Sequence, residues 1–154
     1  MPASEEQRQL DSFIDKFSPE VAARTREELA RMRALLPCAI EMVYDNYNAL
    51  AIGFGPSERA SEAVFSLAVF PRWVTLCFLK NGPALPDPEG LLNGGGKRVR
   101  HLRLPQASHL DSPAVAALLD AALAMADPPM PVSPPGALSI RSVSAKRRPR
   151  KPLG

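Results

Sequence analysis

The chain contains few cysteines and histidines, and this excludes several kinds of metal and redox site. Its two cysteines, Cys38 and Cys77, lie in apolar runs, which predicts reduced, buried thiols in a reducing compartment and no disulfide. Its two histidines, His101 and His109, have no cysteine or second histidine at metal-ligand spacing, so no zinc site is predicted. We therefore expect neither a metal nor another cofactor.

Long apolar runs are also missing. No run approaches the ~18 residues that a membrane-spanning helix needs. Residues 1–6 are acidic and polar, and they lack the apolar stretch of a secretory signal peptide. We therefore expect a cytoplasmic protein that does not insert into membranes.

The motifs of common enzyme classes are absent as well. Cys77 lies within a predicted strand, where burial raises the pKa of a thiol and no base is adjacent in sequence. There is no serine elbow and no pair of carboxylates between apolar walls. We predict no catalytic residue and a non-enzymatic role, while noting that catalytic groups also assemble from distant positions.

Charge divides the chain into two parts. Residues 1–126 carry 13 Lys/Arg and 15 Asp/Glu, a balance of −2, whereas residues 127–154 carry 6 Lys/Arg and 1 Asp, a balance of +5. The second part has 7 prolines and the basic run Lys146–Lys151. Such a composition buries little apolar surface and predicts disorder. The sequence thus predicts a domain over 1–126 and a disordered, Pro-rich basic tail over 127–154.

Capping serines open three predicted helices, at 4–17, 19–36 and 112–126. Between the second and third helices the apolar period changes to two, and turn residues separate the short runs. Connections this short force neighbouring strands to be antiparallel. The strands are predicted at 39–45, 49–55, 62–70, 74–80 and 98–104. The expected fold is α+β, with two N-terminal helices, a meander of about five antiparallel strands, and a C-terminal helix packed on the sheet.

Four blocks of sequence resemble the YdhG-like family of domains of unknown function. They are Val43–Leu50, Phe70–Val74, Leu85–Pro88 and Leu92–His101, within a similar region of about 20–125. The resemblance implies the same α+β fold and leaves the activity open. One branch of that family is similar to frataxin in shape and is linked to iron delivery for iron–sulfur clusters through surface carboxylates. The corresponding carboxylates here are Glu5, Glu6, Asp11, Asp15, Glu20, Glu27 and Glu28.

The segment Asn93–His101 is the first candidate site. Consecutive glycines let the backbone adopt positive φ and turn successive amide hydrogens toward one point, and such a nest binds anions. Basic side chains follow at once. It is not the phosphate loop of nucleotide hydrolases, because Leu91 and Arg98 occupy the positions of a required glycine and hydroxyl. The alternative is a flexible, charged turn. The predicted anion-binding residues are Gly94, Gly95, Gly96, Lys97, Arg98, Arg100 and His101.

Two aromatic turns and the tail supply further candidates. Candidate contacts for a partner or ligand are Tyr44, Asn46, Tyr47, Arg72 and Trp73. The alternatives are an Asn/Asp turn that bonds its own backbone, and a tryptophan that covers the sheet edge. Residues 146–151 predict a weak, non-specific contact with nucleic acid, or a simple solubilising tail.

These observations together predict a function. The leading prediction is a non-enzymatic binding module for a small anionic ligand or a partner protein. The alternatives are an iron-binding, cluster-assembly chaperone resembling frataxin, and a nucleic-acid accessory protein that acts through its basic tail.

Overall fold

A computed structural model of the protein describes residues 4–152, so the ends of the predicted domain and tail, at 1–3 and 153–154, lie outside it. The described chain is α+β, with three α-helices and one six-stranded mixed sheet. The helices are α1 (Glu5–Ile14), α2 (Pro19–Leu35) and α3 (Pro113–Met125). The strands are β1 (Ile40–Asp45), β2 (Leu50–Gly55), β3 (Phe65–Val69), β4 (Val74–Phe78), β5 (Arg100–Leu104) and β6 (Leu138–Val143).

Each helix begins at a serine that caps it. The hydroxyls of Ser4, Ser18 and Ser112 each accept a hydrogen bond from the backbone amide three residues later. In α2 and α3 a proline then occupies the first turn, where its missing amide hydrogen has no helical partner to lose. The three predicted helix starts are therefore confirmed.

The sheet has the order β5-β4-β3-β2-β1-β6. The first five strands pair antiparallel with their sequence neighbours, as the short connections predicted. The prediction of five strands was wrong, because β6 pairs in parallel with the free edge of β1. The predicted C-terminal helix is likewise not the last element, since β6 follows α3.

Strand β6 also overturns the prediction that the whole tail is disordered. Its residues Leu138 and Ile140 recur with period two and pack against the core. Gly136 allows the approach, because a Cβ built there would overlap the carbonyl oxygen of Ala39. The amide of Gly136 donates to the Pro37 carbonyl at 2.9 Å. The prediction of disorder used the average composition of residues 127–154, in which a short apolar run has little weight.

The core lies between the helices and one face of the sheet. A row of apolar residues crosses five strands on that face: Val43, Ile52, Leu67, Leu76 and Leu102. Residues of all three helices belong to the same core cluster. The row Tyr44, Ala51, Ala68, Thr75 and Arg103 lies on the opposite face. No helix in the described part of the chain is both long and apolar enough to cross a membrane.

Candidate ligand-binding groove

Two hairpin turns lie side by side at one end of the sheet. The pairing register aligns the strand ends in one row, namely Asp45, Leu50, Val69 and Val74. The turns that leave this row, at 46–49 and 70–73, are therefore neighbours. Each is closed by a backbone hydrogen bond, of 3.0 Å from Asn46 N to Ala49 O in the first turn and of 2.9 Å in the second.

The C-terminal segment returns to the same end of the sheet. The amide of Ser144 donates to the Asp45 carbonyl at 2.9 Å, and the amide of Arg148 donates to the Tyr47 carbonyl at 2.8 Å. A groove of about 1110 Å³ results between the two turns and this segment. Its lining residues are Asn46, Tyr47, Asn48, Ala49, Phe70, Pro71, Arg72, Trp73, Arg148, Pro149, Lys151 and Pro152.

The groove is basic, since its lining includes three cationic side chains and no carboxylate. Among residues 4–152, no hydrogen-bonding group or carboxylate pairs with the side chains of Arg72, Arg148 or Lys151. Positive charges close to a site attract an anion to it. The groove therefore attracts negative charge.

Aromatic rings and guanidinium groups pair along the groove. The Cζ atom of Arg103 lies 3.7 Å from the centroid of the Trp73 ring, and that of Arg148 lies 5.9 Å from Tyr47. Phe70 lies beside Trp73, with a centroid distance of 6.1 Å. A guanidinium stacked on a ring keeps its N–H edge available for a phosphate or carboxylate. The pairs thus place cationic donors next to flat apolar surfaces.

A buried carboxylate anchors the C-terminal segment. The Asp45 side chain is 1% exposed, and Arg150, which is 3% exposed, donates from Nη2 to its Oδ1 at 2.9 Å. Arg147 donates from Nε to the other oxygen, Oδ2. Arg150 also donates to the Asn46 carbonyl and lies 5.5 Å from the Phe17 ring. The sequence predicted that residues 146–151 belong to a disordered tail. In the structure, Arg147 and Arg150 instead hold this run against the end of the sheet.

The structure brings most of the predicted aromatic contacts together. Asn46, Tyr47, Arg72 and Trp73 line the groove, whereas Tyr44 pairs with Ala51 on the outer face of the sheet. The sequence analysis did not name Asn48 or Phe70 as contacts, and it assigned Arg148 and Lys151 to a separate tail and not to a site shared with the two turns. The signal that marks the tail part is the period-two run of β6, which carries the tail back to this end of the sheet.

The glycine loop, Asn93–His101, is closed by its own hydrogen bonds and does not line the groove. Asn93 and His101 exchange two backbone hydrogen bonds of 2.8 and 3.0 Å, which close the loop, and Gly94 has φ +114°. Arg100 donates from Nη1 to the carbonyl of Gly96 at 2.6 Å. The same nitrogen donates to the Val99 carbonyl at 2.9 Å, so this guanidinium holds the loop itself.

The remaining loop residues do not share one cavity. The side chains of Lys97 and Arg98 are exposed. His101 instead lines a second cavity of about 930 Å³, together with His109, Glu89 and Arg103. In residues 4–152 no group of three or more His, Cys, Asp or Glu side chains is placed to hold a metal ion. The anion-binding role of the loop stays a prediction.

Two titratable groups outside the groove have a raised pKa. Both thiols are free and half-buried, not fully buried as predicted, and desolvation raises the pKa of Cys77 while Ser66 opposes the rise. Glu28 is fully buried, and neither of its carboxylate oxygens has a hydrogen-bond partner among the described residues. Desolvation raises the pKa of Glu28 to about 8. Glu28 is thus not the surface carboxylate that the family resemblance implied.

Comparison with protein-family models, curated proteins and solved structures gave no match to this chain. The class of the protein therefore follows from its own fold and site. It is a small α+β domain with helices on one face of a six-stranded sheet. Its C-terminal segment completes an aromatic, basic groove at one end of that sheet.

Proposed function

We propose that this protein is a non-enzymatic binding module for an anionic ligand that carries a flat ring, and that the groove is its site. The observation that supports this most is the lining itself. Three unpaired cations, two exposed asparagines and several rings lie around one cavity without a carboxylate. A ligand that combines a phosphate or carboxylate with a planar ring would satisfy both kinds of surface.

The charged, aromatic and amide side chains of the groove would contact different parts of the ligand. Arg148 and Lys151 would contact the negative group, because charged hydrogen bonds are about twice as strong as neutral ones. The Tyr47 ring, which is 51% exposed, offers a stacking surface. Asn46 and Asn48 carry amide donors and acceptors that fix the orientation of a ring edge. Neither a nucleophile nor a general base is needed for this role.

The first prediction separates the groove from the glycine loop. Arg148→Ala with Lys151→Ala should weaken binding of ATP at least tenfold, because each charged hydrogen bond contributes roughly 1.5–3 kcal/mol. The matched control is Lys97→Ala with Arg98→Ala, which removes the same charge from the loop and should leave the affinity unchanged. Isothermal titration calorimetry at one ionic strength measures both.

The opposite pattern would reject the groove. If the loop variant loses ATP and the groove variant keeps it, the glycine loop is the anion site. If wild-type protein binds neither ATP nor tripolyphosphate at millimolar concentration, the binding function itself is wrong. All four side chains are exposed, so both variants should keep the melting temperature of the wild type.

The iron-binding alternative has less support among these residues. Glu5 pairs with Arg8 at 2.8 Å and Asp15 pairs with Arg26, so two of the implied iron ligands are already neutralised. Glu28 is buried. The iron-binding function is therefore the less supported alternative. Membership of the YdhG-like family and a cytoplasmic location stay predictions.

A further inference from the structure

We infer that the ligand class of the groove is single-stranded nucleic acid, an inference that rests on the proposed function and narrows it. The first observation is that cations continue beyond the groove. Arg103 is stacked on Trp73, which lines the groove, and Arg103 also lines the second cavity. The two cavities are therefore neighbours, and one guanidinium–indole pair lies between them.

This junction defines an extended track. It runs from Lys151 and Arg148 past Tyr47 to Trp73 and Arg72, and then to Arg103 on the outer face of β5. Arg103 forms no ion pair with any carboxylate in the described chain. Four cations without an ion-pair partner lie along one surface. They suit a polymer with repeating negative charges, whereas a single phosphate would contact only some of them.

The rings along the track favour bases over other polyanions. Tyr47 and Trp73 lie on the two different turns, and each has a guanidinium beside its ring, from Arg148 and Arg103 respectively. Proteins that bind single strands combine such rings, on which bases stack, with a basic groove that follows the backbone. A duplex would keep its bases stacked inside, so the rings would gain nothing from it.

Small residues leave room beside the track. On the outer face, Ala51, Ala68 and Thr75 separate Tyr44 from Arg103 in one row. Ala51 and Ala68 are half-buried, so solvent reaches this part of the face, whereas Thr75 beside Arg103 is buried. A nucleic-acid strand that leaves the groove over this face therefore meets no bulky side chain in this row before Arg103.

Trp73 is also the means of testing the inference, because it is the single tryptophan of the chain. Titration with oligothymidylates of two, four, eight and twelve nucleotides should quench its fluorescence, with an affinity that rises with length and then levels off. At saturating length, four phosphate contacts predict a log–log salt slope of about −3. Arg148→Ala with Lys151→Ala should reduce that slope by about 1.4.

Two further arms make the test decisive. Trp73→Ala should weaken binding of the eight-nucleotide strand about tenfold, measured by anisotropy of a labelled strand, and Arg72→Ala serves as the charge-only comparison. An annealed duplex of the same length should bind more weakly than the single strand.

Failure of this inference is distinguishable from failure of the proposed function. If ATP binds at the groove but oligonucleotide affinity does not rise with length, the single-strand inference is wrong and the small-ligand function stands. If heparin or polyphosphate binds as tightly as the strand, and the strand leaves Trp73 fluorescence unchanged, the track is a general polyanion surface and the inference is again wrong. If no anion binds, both proposals fail.

Discussion

Replacing Asp45 by alanine is expected to lower the free energy of unfolding by about 3–5 kcal/mol, because removal of one partner leaves buried charge uncompensated. Its carboxylate is 1% exposed and is shared by Arg147 and Arg150, and the second of these side chains is itself 3% exposed. Chemical denaturation at pH 7 measures the loss. The same variant should weaken ATP binding, because the released segment carries Arg148 and Lys151 out of the groove.

The matched control is Asp111→Ala. Asp111 also pairs with an arginine at 2.9 Å, Arg31, but its side chain is 62% exposed. Surface pairs contribute about 0.2–1 kcal/mol, so this change should be small and should not affect ligand affinity. A double variant, Asp45→Asn with Arg150→Met, should be less destabilised than Asp45→Ala, since it removes both buried charges together. Equal losses for Asp45→Ala and Asp111→Ala would contradict the buried anchor.

The antiparallel meander could be predicted because its signals are local. Period-two runs and short connections are properties of adjacent residues, and they also determine which strands pair. The pairing places the turns at 46–49 and 70–73 side by side, so half of the groove follows from the predicted fold. Strand β3 is shorter than the predicted 62–70, because 60–62 form a 3₁₀ turn.

The other half of the groove depends on contacts between distant residues. Asp45 reads in sequence as part of an Asn/Asp turn, yet its charge partners lie 102 and 105 positions later in the chain. The average composition of the tail predicts disorder, whereas Leu138 and Ile140 belong to a strand that pairs with the free edge of β1. The period-two run at 138–140 is a local signal for a strand, but no local signal gives its pairing edge or the partners of Asp45, because the free edge and the buried carboxylate exist only after the sheet has formed. The burial of Glu28 was missed for the same reason.

Glu28 should make the protein less stable as the pH rises through the neutral range. Its pKa is raised from 4.5 to about 8, first by desolvation and then by Glu27, against the opposing effects of Arg24 and Arg31. Between these two values the native state keeps a proton that the unfolded state has lost, so the free energy of unfolding falls as pH increases. The full penalty is on the order of 5 kcal/mol, present above pH 8 and absent below pH 4.5.

Glu28→Gln isolates this effect, because glutamine matches the neutral carboxylic acid in shape and does not titrate. Relative to the wild type, the variant should gain about 3–4 kcal/mol in free energy of unfolding between pH 5 and pH 8, measured by urea denaturation at several pH values. Glu20→Gln, at the exposed start of the same helix, should give a curve nearly parallel to that of the wild type, because Glu20 is not among the groups that act on Glu28. If the Glu28→Gln and wild-type curves are also parallel, the carboxylate is ionised in the folded protein, and a partner or water must reach it. Because Glu28 is fully buried and its oxygens have no partner in the described chain, we expect the curves to diverge as the pH rises.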